Sequence, residues 1–151
     1  MLLLRHASAG EPMPPPWFDR ERALDRIGRV QARHLRLALA GFAIERIVTS
    51  PHTRCVETVR PLAVALGLEL ECRDALAPDS SQESALALLE ELPEESLLCT
   101  HREVIERLFD GEVQCEKGGA WVLERTAGRW HPTGYRAAPA VERLRGRAAL
   151  V

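Results

Sequence analysis

Short apolar runs alternate with longer amphipathic stretches along this chain. Five runs have the length and the flanking turn residues of buried strands: Met1–Leu4, Ile44–Ser50, Leu68–Cys72, Leu97–Thr100 and Trp121–Leu123. Apolar residues at helical spacing fill the stretches between the runs. The predicted order is β-α-β-α-β-α-β-α-β, which is typical of an α/β fold with a mainly parallel sheet and helices on both faces, a three-layer α/β/α sandwich.

Local signals predict where the first two helices begin and end. Asp25 is a candidate N-cap, and Gly41 ends the first helix. We expect its apolar face to be formed by Ile27, Val30, His34, Leu35, Ala38 and Leu39. Pro51 is predicted in the first turn of the second helix, and Pro61 is expected to kink or split it. The apolar stripe of that helix is Val56, Val59, Leu62 and Leu66.

The remaining segments carry weaker signals. Ser80–Glu83 reads as a capping box before a helix over Ala85–Leu92, and a further helix follows His101. The proline-rich stretch 11–18 is predicted to be a stiff surface loop without regular structure. The tail after Trp130 is polar and basic, and no element or role is predicted for it.

Length and composition favour one domain over residues 1–151 and exclude several classes of protein. Apolar residues make up 46% of the chain and charged residues 28%, as in ordinary globular proteins. A net charge of -2 gives no basic field for a nucleic-acid partner, and no stretch approaches the roughly 20 apolar residues of a membrane helix. The four cysteines lack metal-ligand spacing, so we expect reduced thiols, a cytoplasmic location and neither metal nor cofactor. The sequence leaves the oligomeric state open.

Polar residues follow three of the predicted strands at their carboxyl ends. Arg5 and His6 end the first; Ser50 and Arg54 follow the second; Thr100 and His101 follow the fourth. These ends share one edge of a parallel sheet, where ligands bind in open α/β folds. Two guanidinium groups and two imidazoles make a pocket for a phosphoryl group, with helix N-termini as further donors. One neutral imidazole could attack phosphorus.

At these residues the chain resembles the histidine phosphatase superfamily, which includes cofactor-dependent phosphoglycerate mutases. Leu4-Arg5-His6-Ala7 is similar to the family signature, with Ala7 in place of glycine as in the small SixA-like branch. Residues 19–32 resemble D-x-x-R-P-L-T-x-x-G-x-x-Q-A, with Ala23 and Asp25 replacing proline and threonine. Residues 49–58 resemble S-P-x-x-R-x-x-Q-T, with Glu57 for glutamine. His101 stands at the position of the second catalytic histidine. The resemblance spans residues 1–109 and implies a phosphoglycerate mutase-like fold.

The resemblance implies a metal-independent phosphatase with a role for each matched residue. His6 is the expected phosphorylated nucleophile, and Arg5, Arg54 and His101 complete the phosphate pocket. Arg22 is expected to reach the same phosphate, although it could equally belong to a solvated basic face. Ser50 and Thr100 are further expected phosphate or substrate ligands, Thr100 replacing a glycine of the family pattern.

Two resemblances lead to different substrates. The SixA-like branch implies a protein phosphohistidine. Residues 99–105 and 117–123 are similar to the phosphatase half of bacterial Nudix–phosphatase fusions, which implies a nucleotide or small phosphoester and places Lys117 near the site entrance. A non-catalytic phosphate- or phosphoprotein-binding module on the same fold is the alternative to an enzyme.

The proton donor is the least defined part of the expected site. Larger family members carry a glutamate donor in a long insertion, for which the stretch Asp74–Glu83 is too short. Mutase activity is therefore not expected. Glu83 and Asp79 are the candidate donors, Glu83 being more readily explained as a capping-box residue.

Overall fold

A six-stranded sheet forms the centre of the structure, a computed structural model that describes residues 1–141. Its strands are β1 (Leu2–Arg5), β2 (Arg46–Thr49), β3 (Leu70–Cys72), β4 (Ser96–Thr100), β5 (Ala120–Thr126) and β6 (Arg129–Arg136). They lie in the order β3-β2-β4-β1-β5-β6. The first four strands are parallel, and β5 and β6 are antiparallel to their neighbours. The predicted mainly parallel sheet is confirmed.

Helices cover both faces of this sheet. They are α1 (Pro16–Arg20), α2 (Arg26–Ala38), α3 (Thr53–Leu66), α4 (Gln82–Glu91) and α5 (Arg102–Leu108). Leu2 and Leu4 of β1 pack with residues of α2 and α3. Leu3 packs on the opposite face with residues of α4 and α5. Alternate residues of one strand thus belong to two cores, as period-2 geometry requires, and the three-layer prediction is confirmed. No helix among residues 1–141 is long and apolar enough to cross a membrane.

The prediction that the strand near Trp121 is the last one was wrong. β6 returns antiparallel to β5 through the turn at Ala127 and Gly128, both of which have positive φ. Positive φ at two consecutive residues is the geometry of a tight hairpin turn. Pro132 is tolerated in β6 because the register shifts opposite Val122 and Leu123. The described part of the basic tail therefore includes a strand, and residues 142–151 lie outside the described residues.

Two predictions about prolines were also wrong, and so was one of the two outcomes expected at Pro61. The 11–18 stretch is not wholly irregular, because α1 begins at Pro16, where the missing N–H has no helical partner to lose. Pro51 precedes His52, the N-cap of α3, so it lies outside the helix. Pro61 does not split α3, which is continuous from Thr53 to Leu66. Buried neighbours such as Val59 and Leu62 hold that helix against the sheet.

The buried faces of α2 and α3 differ from the predicted apolar stripes. In α2 the N-cap Asp25 is confirmed, since its side chain accepts a hydrogen bond from the Gly28 amide, but Ile27 is 43% exposed. The buried positions of α2 are Gly28, Gln31, Ala32 and Leu35. Those of α3 are Arg54, Cys55, Thr58, Val59, Leu62 and Ala63. Polar residues replace part of each stripe because both helices also border the polar end of the sheet.

The predicted capping box is displaced by one residue. Ser81 is the N-cap of α4 and accepts a hydrogen bond from the Ser84 amide, so the helix begins at Gln82 rather than Ala85. Glu83 lies in the first turn and is exposed. The four cysteines are free, as expected, and all except Cys72 are buried.

Candidate active site

The carboxyl ends of β1, β2 and β4 meet at one edge of the sheet. Arg5 pairs in register with Thr100, and Thr49 pairs with Cys99, so the three strands end side by side. The residues that follow are His6, Ser50 and His101, which are all buried. The predicted convergence of these strand ends is thus confirmed.

His6 is oriented by its own loop. Its Nδ1 lies 2.8 Å from the Ala7 carbonyl oxygen. A carbonyl only accepts hydrogen bonds, so Nδ1 carries the proton and Nε2 carries the lone pair. The ring centroids of His6 and His101 are 5.3 Å apart, edge to face. The tautomer fixed by Ala7 leaves Nε2 as the nucleophilic nitrogen.

Both histidines are electrically neutral at pH 7. Burial, together with the charges of Arg54 and Arg5, lowers the pKa of His6 to about 3, although the hydrogen bond to the Ala7 carbonyl acts in the opposite direction. Burial, followed by the charge of Arg54, lowers the pKa of His101 to about 2. A neutral imidazole at His6 is the form that can act as a nucleophile.

His101 is surrounded by polar groups. Its Nε2 lies 2.8 Å from the Ser50 hydroxyl, and its ring centroid is 4.9 Å from that of His52. The structure thus places the Ser50 hydroxyl against His101. The prediction that Thr100 is a phosphate or substrate ligand was wrong, because its fully buried hydroxyl donates to the Leu76 carbonyl at 2.7 Å.

Asp19 connects two of the predicted arginines, and sequence reasoning gave it no role. The Arg22 Nε donates to Asp19 Oδ1 at 2.8 Å, and the Arg54 NH2 group lies 3.4 Å from Asp19 Oδ2. Arg54 also donates to the Asp19 carbonyl at 2.9 Å. These contacts position Arg54 and Arg22 together. The i, i+3 spacing of Asp19 and Arg22 was the only sequence signal for this pairing.

Buried nitrogens without a hydrogen-bond partner concentrate in this cluster. Among residues 1–141, seven buried side-chain nitrogen or oxygen atoms have no hydrogen-bond partner. Four of them belong to the cluster: Arg5 Nε, Arg54 Nε, His52 Nδ1 and His101 Nδ1. Buried polar groups without partners are costly, so such a concentration indicates a site built for an anionic ligand.

The loop after His6 is fixed by contacts to α2 and α3. The Ala7 amide donates to the Thr58 hydroxyl at 2.9 Å, and the Ser8 amide donates to Gln31 Oε1 at 2.9 Å. Gly28 allows close approach, because a Cβ there would lie 1.9 Å from the Ser8 carbonyl oxygen. These residues from the two downstream motifs therefore hold the nucleophile loop in place.

A cavity of about 640 Å³ lies beside the cluster. Its wall includes His52 and Asp19, and also Asp79, one of the two predicted proton donors. The other, Glu83, is exposed on α4 and is not among the residues that line it. Lys117 is also exposed, and its carbonyl accepts a hydrogen bond from Gln31. The structure thus brings Asp79, but not Glu83 or Lys117, to the cavity wall.

Comparisons with known proteins agree with this arrangement. A sequence profile of the histidine phosphatase superfamily (branch 1) matches residues 1–146. The chain is similar to an 8-oxo-(d)GTP phosphatase of Mycolicibacterium smegmatis, with 28% identity in an alignment of length 155 that spans 92% of this chain and 48% of the relative. The chain therefore spans about half the length of that curated relative.

Solved structures share the fold. The crystal structure of a phosphohistidine phosphatase SixA from Agrobacterium tumefaciens, described as putative, superimposes with a TM-score of 0.73 and 23% identity, over 92% of this chain and 97% of that one. A protein histidine phosphatase SixA complexed with tungstate gives a TM-score of 0.75 and 20% identity, over 90% and 95%. At these identities the likeness establishes the fold.

Proposed function

This chain belongs to the histidine phosphatase superfamily, and we propose that it is a phosphatase that forms a phosphohistidine on His6. The observation that carries the proposal is the cluster of buried nitrogens without partners, together with an imidazole whose Nε2 is free. A phosphoryl group would accept hydrogen bonds from the guanidinium nitrogens of this cluster, Arg5 Nε and Arg54 Nε. Arg5, Arg54, Arg22 and His101 are the groups that we propose to hold it.

In the first step, Nε2 of His6 attacks phosphorus while the bond from phosphorus to the leaving oxygen breaks. The neutral state of His6 makes the lone pair available at pH 7. The guanidinium groups of Arg5 and Arg54 neutralise charge on the equatorial oxygens. This charge neutralisation comes from the chain's own cations, so we expect turnover in excess chelator.

The leaving oxygen takes up a proton as it departs. We propose Asp79 for this role, because it lines the cavity beside His52, whereas Glu83 does not. In the second step, water attacks the phosphohistidine and gives a proton to the Asp79 carboxylate, the bond from phosphorus to Nε2 breaks, and inorganic phosphate leaves. The ring of His6 returns to its neutral form.

We propose a nucleotide or other small phosphoester as the substrate. The similarity to an 8-oxo-(d)GTP phosphatase supports this class, and a cavity of about 640 Å³ beside the histidines has room for a small organic leaving group. A protein phosphohistidine is the second candidate. It is favoured by the short connection from β3 to α4, which adds no insertion over the cavity.

The four free thiols support a cytoplasmic location, and we propose that residues 1–151 form one phosphatase domain.

The test is phosphate release in excess chelator from para-nitrophenyl phosphate, a phosphohistidine peptide and a set of nucleotides. His6→Ala is compared with wild type, and His131→Ala, an exposed histidine of β6, is the matched control. We expect turnover that is lost in His6→Ala and kept in His131→Ala. Trapping of acid-labile, base-stable phosphate on wild type and His131→Ala, but not on His6→Ala, would identify the intermediate.

Two other outcomes would change the proposal. Turnover that survives in His6→Ala would remove His6 as the nucleophile. Absence of turnover with every substrate, combined with binding of vanadate, would favour the non-catalytic phosphate-binding module. The substrate with the highest kcat/KM decides between the nucleotide and the phosphohistidine peptide.

A further inference from the structure

The cavity beside the histidines has a planar and acidic wall, of which the proposed phosphoryl chemistry uses only Asp79. Trp17 lines it and is 71% exposed, and Pro16 and Pro78 lie in the same wall. Asp74 and Asp79 also line it. Within residues 1–141 neither carboxylate has a hydrogen bond or an ion pair, so Asp74, which has no role in the proposed chemistry, is available to a ligand.

The acidic segment is held in a defined conformation. Residues Asp74–Leu76 form a turn of 3-10 helix, and the Ser80 amide donates to the Ala77 carbonyl. Arg107 of α5 donates to the carbonyls of Pro78 and Ser80, on either side of Asp79. The position of Asp74 and Asp79 is therefore set by backbone hydrogen bonds and not by a partner for their carboxylates.

The charges of the wall restrict what can bind there. Asp19 is paired with Arg22 and Arg54, which leaves Arg20 against Asp74 and Asp79 among the charged lining residues. While Asp79 holds the proton that it transfers, the charges of Arg20 and Asp74 balance, and no cation among the described residues of this wall is left over. A second phosphate group would find no free cation among these residues, whereas N–H donors would find an acceptor in Asp74. The cavity thus suits an uncharged leaving group more than a polyphosphate chain.

We propose that this cavity binds the nucleoside of a purine nucleoside monophosphate with a guanine-type edge, stacked on Trp17 and hydrogen-bonded to Asp74. This inference rests on the proposed function, because it assigns the leaving group of that reaction. Guanine presents two adjacent donors, N1–H and the 2-amino group, and a carboxylate can accept both. Adenine presents one donor beside the N1 acceptor, which a carboxylate cannot satisfy. Indole provides the planar surface on which a base stacks.

The decisive variant is Asp74→Asn. Its side-chain amide offers one acceptor and one donor, which complements adenine in the way that a carboxylate complements guanine. We expect wild type to favour GMP over AMP by about tenfold or more in kcat/KM, and Asp74→Asn to shift this ratio towards AMP by a similar factor. A merely structural role of Asp74 would lower both activities together and leave the ratio unchanged.

Two further measurements test the other parts of the assignment. Trp17→Ala should raise the KM for GMP about tenfold, while Phe18→Ala, also exposed but not in the cavity wall, should not. GDP should be a poorer substrate than GMP with wild type, and Asp74→Asn should reduce that difference. Ribose 5-phosphate, which lacks a base, should be poor with every variant.

Failure of this inference is separable from failure of the proposed function. If ribose 5-phosphate or GDP matches GMP, or if Asp74→Asn leaves the GMP to AMP ratio unchanged, the base assignment is wrong although the enzyme is still a phosphatase. If no phosphoester is hydrolysed in a reaction that depends on His6, the phosphatase proposal itself fails. Para-nitrophenyl phosphate, measured with each variant, makes this distinction.

Discussion

Two neighbouring regions of this protein are both buried, but burial has opposite effects on the stability of the fold in the two. On the faces of the sheet, the side chains of residues such as Leu3, Leu89 and Leu98 are fully buried against other apolar groups. At the carboxyl edge of the same sheet, His6, Arg54 and His101 are also buried, but some of their nitrogens have no partner. Similar burial therefore stabilises the fold in the first region and opposes it in the second.

The difference indicates what each region is for. Burying apolar area contributes roughly 25 cal/mol per Å² to folding, whereas burying a polar group without a partner costs free energy. In the edge cluster, buried nitrogens without partners lower the stability of the fold. The same burial keeps the nucleophile neutral and holds the cations in position. Substitutions in the edge cluster should therefore lower activity more than stability. Substitutions in the apolar core should lower stability more than activity.

The largest expected effect is on activity at Arg54. Arg54→Met removes a buried cation beside both histidines, and we expect kcat/KM to fall by about 10²–10³-fold. The free energy of unfolding should fall by less than about 1 kcal/mol, or rise, because Asp19 keeps Arg22 as a partner. Steady-state kinetics and urea unfolding of the same preparation measure both quantities.

Arg36→Met is the matched control, since Arg36 is an exposed residue near the end of α2. This substitution should leave kcat/KM and the free energy of unfolding near the wild-type values. A loss of stability in Arg54→Met as large as that of a core truncation would show that Arg54 supports the fold, and the contrast between the two regions would disappear.

The second effect is on stability in the core. Leu89→Ala truncates a fully buried side chain of α4 and should lower the free energy of unfolding by about 2–5 kcal/mol. The kcat of the folded fraction should stay within a few-fold of wild type, because Leu89 is not among the residues of the cluster or the cavity wall. Leu86→Ala, on the same helix but 39% exposed, should cost less than about 1 kcal/mol. Equal losses in the two variants would contradict the assigned burial.

The smallest effect is the pH dependence of stability contributed by the histidines. The pKa of His6 is lowered from 6.5 to about 3 in the folded protein. Between these values the unfolded chain binds the proton preferentially, so stability is complete above 6.5 and falls as the pH drops. From pH 7.5 to 5.5 His6 should contribute a loss of about 1.4 kcal/mol, and His101, shifted in the same direction, a similar loss.

His6→Gln tests this assignment. Its free energy of unfolding should fall less than that of wild type between pH 7.5 and 5.5, by about 1.4 kcal/mol, in a buffer without phosphate. His131→Gln, at an exposed position, should behave as wild type. Parallel curves for wild type and His6→Gln would mean that His6 binds its proton in the folded state as it does in the unfolded chain.

The sequence by itself determined the local features. Apolar runs located the buried strands β1, β2 and β4, and Asp25 located the start of α2, because strand burial and helix capping depend on neighbouring residues in the chain. The order of strands and helices predicted a mainly parallel sheet. Since parallel strands present their carboxyl ends at one edge, the same pattern also predicted that His6 and His101 would meet.

Tertiary structure decided the features that depend on distant contacts. Asp19 binds Arg54, which lies 35 residues away, and Thr100 turns its hydroxyl towards Leu76 instead of the site. The buried face of α2 is centred on Gly28 and Gln31, because the loop after β1 packs there. Hydrophobic periodicity shows which residues lie on the same face of a helix or strand. It does not show which residues of other elements that face contacts. The partners of buried polar groups are therefore fixed only when the chain is folded.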